Sequence, residues 1–215
     1  MRDKTEIFVD IRSGSVGAAA VRFSDNDPEL LYSLREHLPI QSEFTAERLM
    51  MLASGGTRKI LSELRKHVAG PVERINVTLG SPWFYSKTSS VTNSGDSQFQ
   101  YNNDLLRRLF AEETENFRYE HFKIGEAEFI EQKILSVYLN GYRTAKPIGK
   151  WVKEMRLSFY ISAAPKQFID AMKREVGAIY HREHITFHTF PLLALIASNE
   201  VLQGRKAYVL VDIGG

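Results

Sequence analysis

Two segments of this sequence combine an aspartate with a turn of small residues, a pattern suited to holding phosphate groups and a hydrated metal ion. Asp10 ends an apolar, β-branched segment and is followed by Ile-Arg-Ser-Gly-Ser, whereas Asp212 ends a second apolar segment and is followed by Ile-Gly-Gly. A strand that ends in this way presents a carboxylate beside backbone N–H groups. Taken alone, the first segment also fits an ordinary hairpin turn. Together, the two turns predict a clamp for the phosphates of a nucleotide.

The residues before position 80 predict the α/β scaffold that positions the first turn. Three β-rich segments separated by short turns predict an antiparallel meander, with strands over 7–11, 16–23 and 30–38. Apolar residues then recur at helical spacing and predict a helix over 45–68, which Gly55-Gly56 could break. The strand predicted over 75–79 follows this helical crossover, so we expect it to lie parallel to an earlier strand.

From Pro82 the sequence becomes rich in aromatic and β-branched residues, and this change predicts an inserted module. Its predicted elements are a strand over 83–92, a polar loop over 93–98, a helix over 104–117 capped by Asn102 or Asn103, and strands over 128–140 and 152–162. Alternating helices and strands then return, with a helix predicted over 165–176, a strand over 185–187, a helix over 191–202 and a strand over 207–213. Because the last strand is apolar throughout, we expect it to be buried on both faces.

Composition and charge exclude several classes of function. Hydrophobic residues make up 43% and charged residues 25% of the 215 residues, as in an ordinary globular protein. The net charge of +2, with basic and acidic residues interspersed, does not favour nucleic-acid binding. The absence of cysteine excludes disulfides and thiolate chemistry and agrees with a cytoplasmic protein. The N-terminal residues lack the apolar core of a signal peptide, and no apolar run reaches the length of a transmembrane helix.

Two further groups of polar residues are better explained as surface features than as catalytic or metal-binding sites. His181, His184 and His188 surround a predicted strand without the spacing of a zinc site, so we interpret them as surface or interface residues. The glutamates between positions 112 and 115 fit the solvated face of the predicted helix.

The succession of these elements resembles the actin-like ATPases, in the branch of the bacterial division protein FtsA and the pilus assembly protein PilM. Residues 10–18 are similar to the first phosphate loop of that family, and residues 211–215 are similar to the start of the second. The resemblance implies an α/β fold with an actin-like (ribonuclease-H-like) mixed sheet and an inserted strand-helix-strand-strand (SHS2-type) module. The regions that it implies are subdomain 1A over 1–81 and 158–206, subdomain 1C over 82–157, and the first strand of a truncated second subdomain over 207–215.

The same resemblance implies roles for the residues of the two turns. Asp10 and Asp212 would face one another and hold Mg²⁺ through its waters. The other residues that would contact ATP offer hydroxyl or backbone donors to its phosphates: Ser13, Gly14, Ser15, Gly214 and Gly215.

Arg12 departs from the family pattern, which usually has glycine at this position because the turn passes close to phosphate. In addition, the adenosine-binding segment of the family comes after the position of Gly215. We therefore expect these 215 residues by themselves to bind ATP very weakly and to hydrolyse it negligibly.

The resemblance leaves two roles open. The connection from Gly141 through Pro147 to Gly149 is similar to a link in FtsA and favours an FtsA-like role. That role would link division filaments to the inner face of the cell membrane, recruit late division proteins and include self-assembly, with no membrane insertion by this segment. The alternative is a PilM-like cytoplasmic module that binds a peptide of a type IV pilus assembly platform. A small-molecule kinase is disfavoured, because such enzymes lack the insert.

Overall fold

The structure is a computed structural model that describes residues 3–25, 27–39, 45–123, 126–180, 184–202 and 207–212. It divides into two compact units, Met1–Phe84 with Gln167–Gly215, and Tyr85–Lys166. The elements of the described residues, in chain order, are β1 (Lys4–Ile11), β2 (Ser15–Phe23), β3 (Glu29–His37), α1 (Ala46–His67), β4 (Val72–Leu79), β5 (Tyr85–Gln100), α2 (Asn103–His121), β6 (Ala127–Leu139), β7 (Tyr142–Arg143), β8 (Trp151–Pro165), α3 (Lys166–Tyr180), β9 (Ile185–Thr189) and α4 (Phe190–Val201).

The first unit contains a mixed sheet with the strand order β3-β2-β1-β4-β9. β1, β2 and β3 form the predicted antiparallel meander, and β4 lies parallel to β1 as the helical crossover requires. Alternation along β1 places Ile7, Val9 and Ile11 on one face, where they are at most 1% exposed. Each buried aliphatic side chain of this kind contributes roughly 1.5–3 kcal/mol to stability. Phe8 and Asp10 lie on the opposite, partly exposed face.

Helix α1 is continuous, so Gly55-Gly56 does not break it. Gly55 is exposed, and a Cβ there would meet no atom within 4 Å apart from its own helix backbone, whereas Gly56 is buried. A Cβ at Gly56 would come within 2.8 Å of the Leu38 side chain and 3.3 Å of Val16. The glycine therefore allows α1 to approach the sheet closely, and this packing offsets the low helix propensity of glycine. Thr45 caps the helix by accepting a hydrogen bond from the Arg48 N–H.

The second unit contains an antiparallel sheet with the strand order β5-β8-β6-β7, and α2 packs on it. The core between them includes Phe117 and Phe159, and Phe110 of α2 lies 4.9 Å from the Phe159 ring. Asn102 caps α2 as predicted, by accepting from the Leu105 N–H. The prediction of a loop over 93–98 is wrong, since β5 continues through this segment. The pairing of β5 with β8 is nevertheless irregular between Ser94 and Phe99, where the polar residues lie.

The two units divide at Phe84/Tyr85 and at Lys166/Gln167. The implied subdomain boundaries and the assignment of the second unit to the SHS2 type stay predictions. No helix among the described residues is long and apolar enough to cross a bilayer.

The strand predicted over 207–213 is not formed in the residues that the structure describes, which end at 212. Val209, Leu210 and Val211 are 88%, 53% and 70% exposed. An apolar segment of this kind has high β propensity. It becomes a strand only when its backbone N–H and C=O groups pair with a neighbouring strand. No described strand pairs with this segment.

Candidate functional site

The candidate site lies on the partly exposed face of the first sheet, at the end of β1. Asp10 is paired across the sheet with Gly17 of β2 on one side and with Thr78 of β4 on the other. Gly17 is in turn paired with Arg35 of β3. Because directly paired residues point to the same face, these four residues form one row across the sheet.

Asp10 forms ion pairs with two arginines. Nη2 of Arg35 donates to Oδ2 of Asp10 at 2.8 Å. Nε of Arg12 donates to the same oxygen at 3.1 Å and lies 3.4 Å from Oδ1. The carboxylate predicted to position metal-bound water is therefore neutralised within the protein.

Arg12 also contacts the second aspartate of the predicted clamp. Its Nη1 lies 3.2 Å and 3.3 Å from the two carboxylate oxygens of Asp212. Asp10 and Asp212 thus lie at the same site, with the guanidinium of Arg12 between them. Burial alone would lower the pKa of Arg12, but the charge of Asp10 and the hydrogen bond to Asp212 outweigh burial and raise the pKa. Arg12 therefore stays protonated at physiological pH.

Apolar contacts support the Arg12 side chain in this position. Its guanidinium carbon lies 4.5 Å from the centre of the Phe190 ring, at the first residue of α4. A Cβ at Gly80 would come within 3.0 Å of Arg12 Cγ, so the stem packs closely along this glycine. The Arg12 backbone does not have a positive φ. The turn therefore accepts an L-residue here, and the close approach that needs glycine occurs at Gly80 instead.

Ser15 is also engaged within the protein. Its hydroxyl accepts a hydrogen bond from Nη1 of Arg35 at 2.8 Å, and the residue is 4% exposed. The carbonyl of Gly14 accepts from the Leu38 N–H at 2.9 Å, and Ser13 lies beside it in the partly exposed turn. Gly214 and Gly215 lie outside the described residues, so the structure does not place the second predicted phosphate turn.

Gly17 leaves room for Arg35 to reach Asp10. A Cβ at Gly17 would come within 2.7 Å of Arg35 Nη2 and 2.9 Å of Cζ, so the guanidinium lies directly over this glycine. A shallow groove of about 410 Å³ continues from this point along the sheet, between Phe8, Ala19 and Ser33. Small side chains on β2 and β3 form this groove because they do not fill the space above the strands.

The residues present do not fit Mg²⁺ with a nucleotide. Mg²⁺ requires nearly octahedral oxygen ligands and usually binds carboxylates through its own waters. Here the carboxylates of Asp10 and Asp212 already accept hydrogen bonds from guanidinium groups. A divalent cation would lie close to two positive charges or would have to displace Arg12, and both alternatives are unfavourable. Without a ligand, these ion pairs connect the β1–β2 turn to β3 and to residue 212.

The sequence did not identify Arg35 and Phe190 as part of this site, and it gave no role to Gly17 within residues 10–18. Arg35 is 25 residues from Asp10, and the contact depends on the register of two successive strand pairings. A one-residue slip in either pairing would move Arg35 to the other face. The turn sequences do not specify that register, so no local signal could have identified the pair.

The histidines and glutamates interpreted above as surface residues do not form a metal centre in the part of the chain that the structure describes. No group of three or more His, Asp and Glu side chains there is arranged to hold a metal ion. His184 and His188 flank or lie in β9, and His181 lies outside the described residues. Glu115 lies on α2, where it pairs with Arg118 and has a lowered pKa because of that hydrogen bond.

Comparison with known proteins identifies the fold. No model of a protein family matches the sequence, and no curated protein matches it. The solved structure of a PilM–PilN type IV pilus biogenesis complex matches 92% of this chain with a TM-score of 0.57 and 15% sequence identity. The fold is that of the actin-like ATPases. This chain spans about half, 51%, of the matched chain.

A second solved structure carries less weight. A Bacteroides thetaiotaomicron protein with an actin-like ATPase fold and unknown function matches 90% of this chain and 56% of its own, at 11% identity. Its TM-score of 0.38 is too low to support further argument. The first comparison confirms the predicted α/β, actin-like fold class, whereas the SHS2-type module and the resemblance to FtsA in particular stay predictions.

Proposed function

We propose that this chain belongs to an actin-fold scaffold that binds a partner protein without using nucleotide, in a PilM-like role. The observation that carries the proposal is the Arg12 side chain between Asp10 and Asp212. In the predicted ATPase site these two carboxylates would hold hydrated Mg²⁺, but here they hold a protonated side chain of the same protein. A permanent internal cation provides the link between the two turns that Mg-ATP would otherwise provide.

The PilM-like role is supported by the match to a PilM–PilN complex over 92% of this chain. The proposed ligand is accordingly a short peptide of a PilN-type membrane protein, bound at the cytoplasmic side. ATP and Mg²⁺ have no role in this proposal, and neither does ATP hydrolysis.

An FtsA-like division scaffold is the second candidate, and one feature favours it. The connection between β6 and β8 begins at Gly141 and ends at Gly149, both with positive φ, and its sequence is similar to the link in FtsA. In that role the partner would be a division filament protein, with later division proteins recruited in turn.

Peptide titration separates these candidates. The full chain is titrated with a fluorescent cytoplasmic peptide of a PilN-type protein and with a tail peptide of a division filament protein, each in EDTA and in Mg-ATP. We expect the PilN-type peptide to bind with the same Kd in both buffers. Binding of the division peptide alone would favour the second candidate. A Kd that improves tenfold or more in Mg-ATP would contradict the nucleotide-independent mechanism.

A further inference from the structure

The connection between β6 and β8 in the second unit exposes three large hydrophobic side chains. Tyr142 is 78% exposed, Ile148 is 53% exposed and Trp151 is 61% exposed. We call residues 141–153, which include β7 and the first three residues of β8, the basic loop, for the charges described next. Since β6 and β8 are paired, the loop leaves and re-enters the sheet at one end. Each of these three residues is therefore more than half exposed to solvent.

The same loop concentrates positive charge. It contains four exposed cations and no acidic residue, and the cations are Arg143, Lys146, Lys150 and Lys153. Within the described part of the chain, none of the four forms a salt bridge. The whole chain has a net charge of +2, so subtracting the +4 of the loop leaves −2 on all other residues. The loop therefore differs in sign from the rest of the molecule.

Hydrogen bonds hold the loop in a defined conformation. Asn140, with φ of 49°, accepts hydrogen bonds through its side chain from the N–H groups of Lys153 and Glu154. The N–H of Gly149 donates to Tyr101, and the N–H of Tyr101 donates to Lys150. The exposed side chains are thus presented by an ordered backbone, which reduces the entropic cost of binding a partner.

We propose that the basic loop binds the surface of a membrane containing anionic lipids. Tryptophan and tyrosine favour the interfacial region of a bilayer, where the ring is partly buried and its polar atom stays hydrated. Lysine and arginine beside them interact with anionic headgroups at about 1 kcal/mol each. The exposed Trp151 and Tyr142 rings suit the headgroup region of a bilayer, and the positive charge of the basic loop suits anionic lipids. The inference goes beyond the proposed function and does not depend on it.

Vesicle binding tests the proposal on the full chain. Co-sedimentation is measured with phosphatidylcholine vesicles and with vesicles that contain about one quarter phosphatidylglycerol, at about 0.1 M salt. We expect binding to the anionic vesicles only. The protein has two tryptophans, and Trp83 is 6% exposed, so Trp151 supplies the solvent-sensitive emission. That emission should shift to shorter wavelength and become protected from acrylamide on binding.

Matched variants distinguish the loop from general electrostatic attraction. Lys146→Glu with Lys150→Glu should weaken binding at least about thirty-fold, from the loss of two headgroup contacts. Lys123→Glu with Lys133→Glu changes the net charge equally at exposed positions outside the loop and should retain most of the binding. Trp151→Ala should weaken binding with only a small change of the thermal midpoint, because most of the residue is exposed.

Three results would overturn the proposal. The first is that the wild-type chain fails to sediment with anionic vesicles. The second is that the Lys123/Lys133 variant loses as much binding as the loop variant. The third is that a polyglutamate peptide shifts the Trp151 emission and anionic vesicles do not, which would assign the loop to an acidic protein partner.

Discussion

Replacement of Arg12 is the most direct test of the internal salt bridges at the candidate site. Arg12→Ala removes a pair with Asp10 in which the side chains are 20% and 26% exposed, worth about 1 kcal/mol. It also removes the contact with Phe190, worth about 0.5–1 kcal/mol, and a pair with the more exposed Asp212, worth about 0.3 kcal/mol. Asp10 retains Arg35, and Asp212 is exposed to water, so no buried charge is left unpaired. The free energy of unfolding should fall by about 2 kcal/mol.

Urea denaturation of the full chain measures this loss, and Arg22→Ala is the matched control. Arg22 pairs with Glu29 on the same sheet, but the two side chains are 44% and 62% exposed. The control should therefore lose no more than about 0.5 kcal/mol. Arg12→Lys should recover less than half of the loss, because lysine cannot contact both carboxylates in the same planar geometry. Equal effects of Arg12→Ala and Arg22→Ala would refute the structural role of Arg12.

The same position tests whether Arg12 keeps a metal ion from the two carboxylates. Arg12→Gly restores the residue that the resemblance leads one to expect and removes the cation between Asp10 and Asp212. If Arg12 excludes the metal, the Arg12→Gly variant should bind Mg-ATP more tightly than the wild-type chain in calorimetry. Tight stoichiometric Mg-ATP binding by the wild-type chain would contradict the exclusion of the metal by Arg12.

Three further predictions concern stability. Burial raises the pKa of Tyr180 to about 12, so between pH 10 and 12 this residue ionises only in the unfolded state, and the free energy of unfolding should fall by about 2 kcal/mol once partial solvent screening is allowed for. Because burial also raises the pKa of Tyr101, Tyr180→Phe should reduce the loss measured by pH-dependent urea denaturation without removing all of it. Thermal unfolding should show that Gly55→Ala stabilises α1 by about 1 kcal/mol whereas Gly56→Ala does not, since only Gly56 contacts Leu38. Ser162→Ala should cost about 2 kcal/mol in denaturant titration, because the buried Glu131 carboxylate loses a donor at 2.6 Å; an unchanged midpoint would count against this.

Local sequence signals predicted most of the elements. The short turns among the first three strands favoured a meander, and the helix over 45–68 required a crossover to a parallel strand. Asn102 and Thr45 both cap helices at the predicted starts, because capping depends on residues within one turn of each other.

The failed predictions all concern features that depend on distant contacts. Gly55-Gly56 does not break α1, because Gly56 packs against Val16 and Leu38, which are remote in sequence. The polar segment 93–98 belongs to β5 because β8 lies beside it. The apolar segment 207–212 is not a strand because none of the described strands pairs with it.

The sequence by itself determined most of the elements, their order and the two aspartates at the ends of apolar segments. Periodicity, turns and caps act over a few residues, so they can be interpreted without knowing the fold. Only the tertiary structure decided what those aspartates contact. Strand register across β1, β2 and β3 brings Arg35 to Asp10, and the path of the chain back to residue 212 places Arg12 between the two carboxylates. A pattern that predicts a metal-nucleotide clamp therefore forms a set of internal salt bridges, because the charges are neutralised by groups from distant parts of the chain.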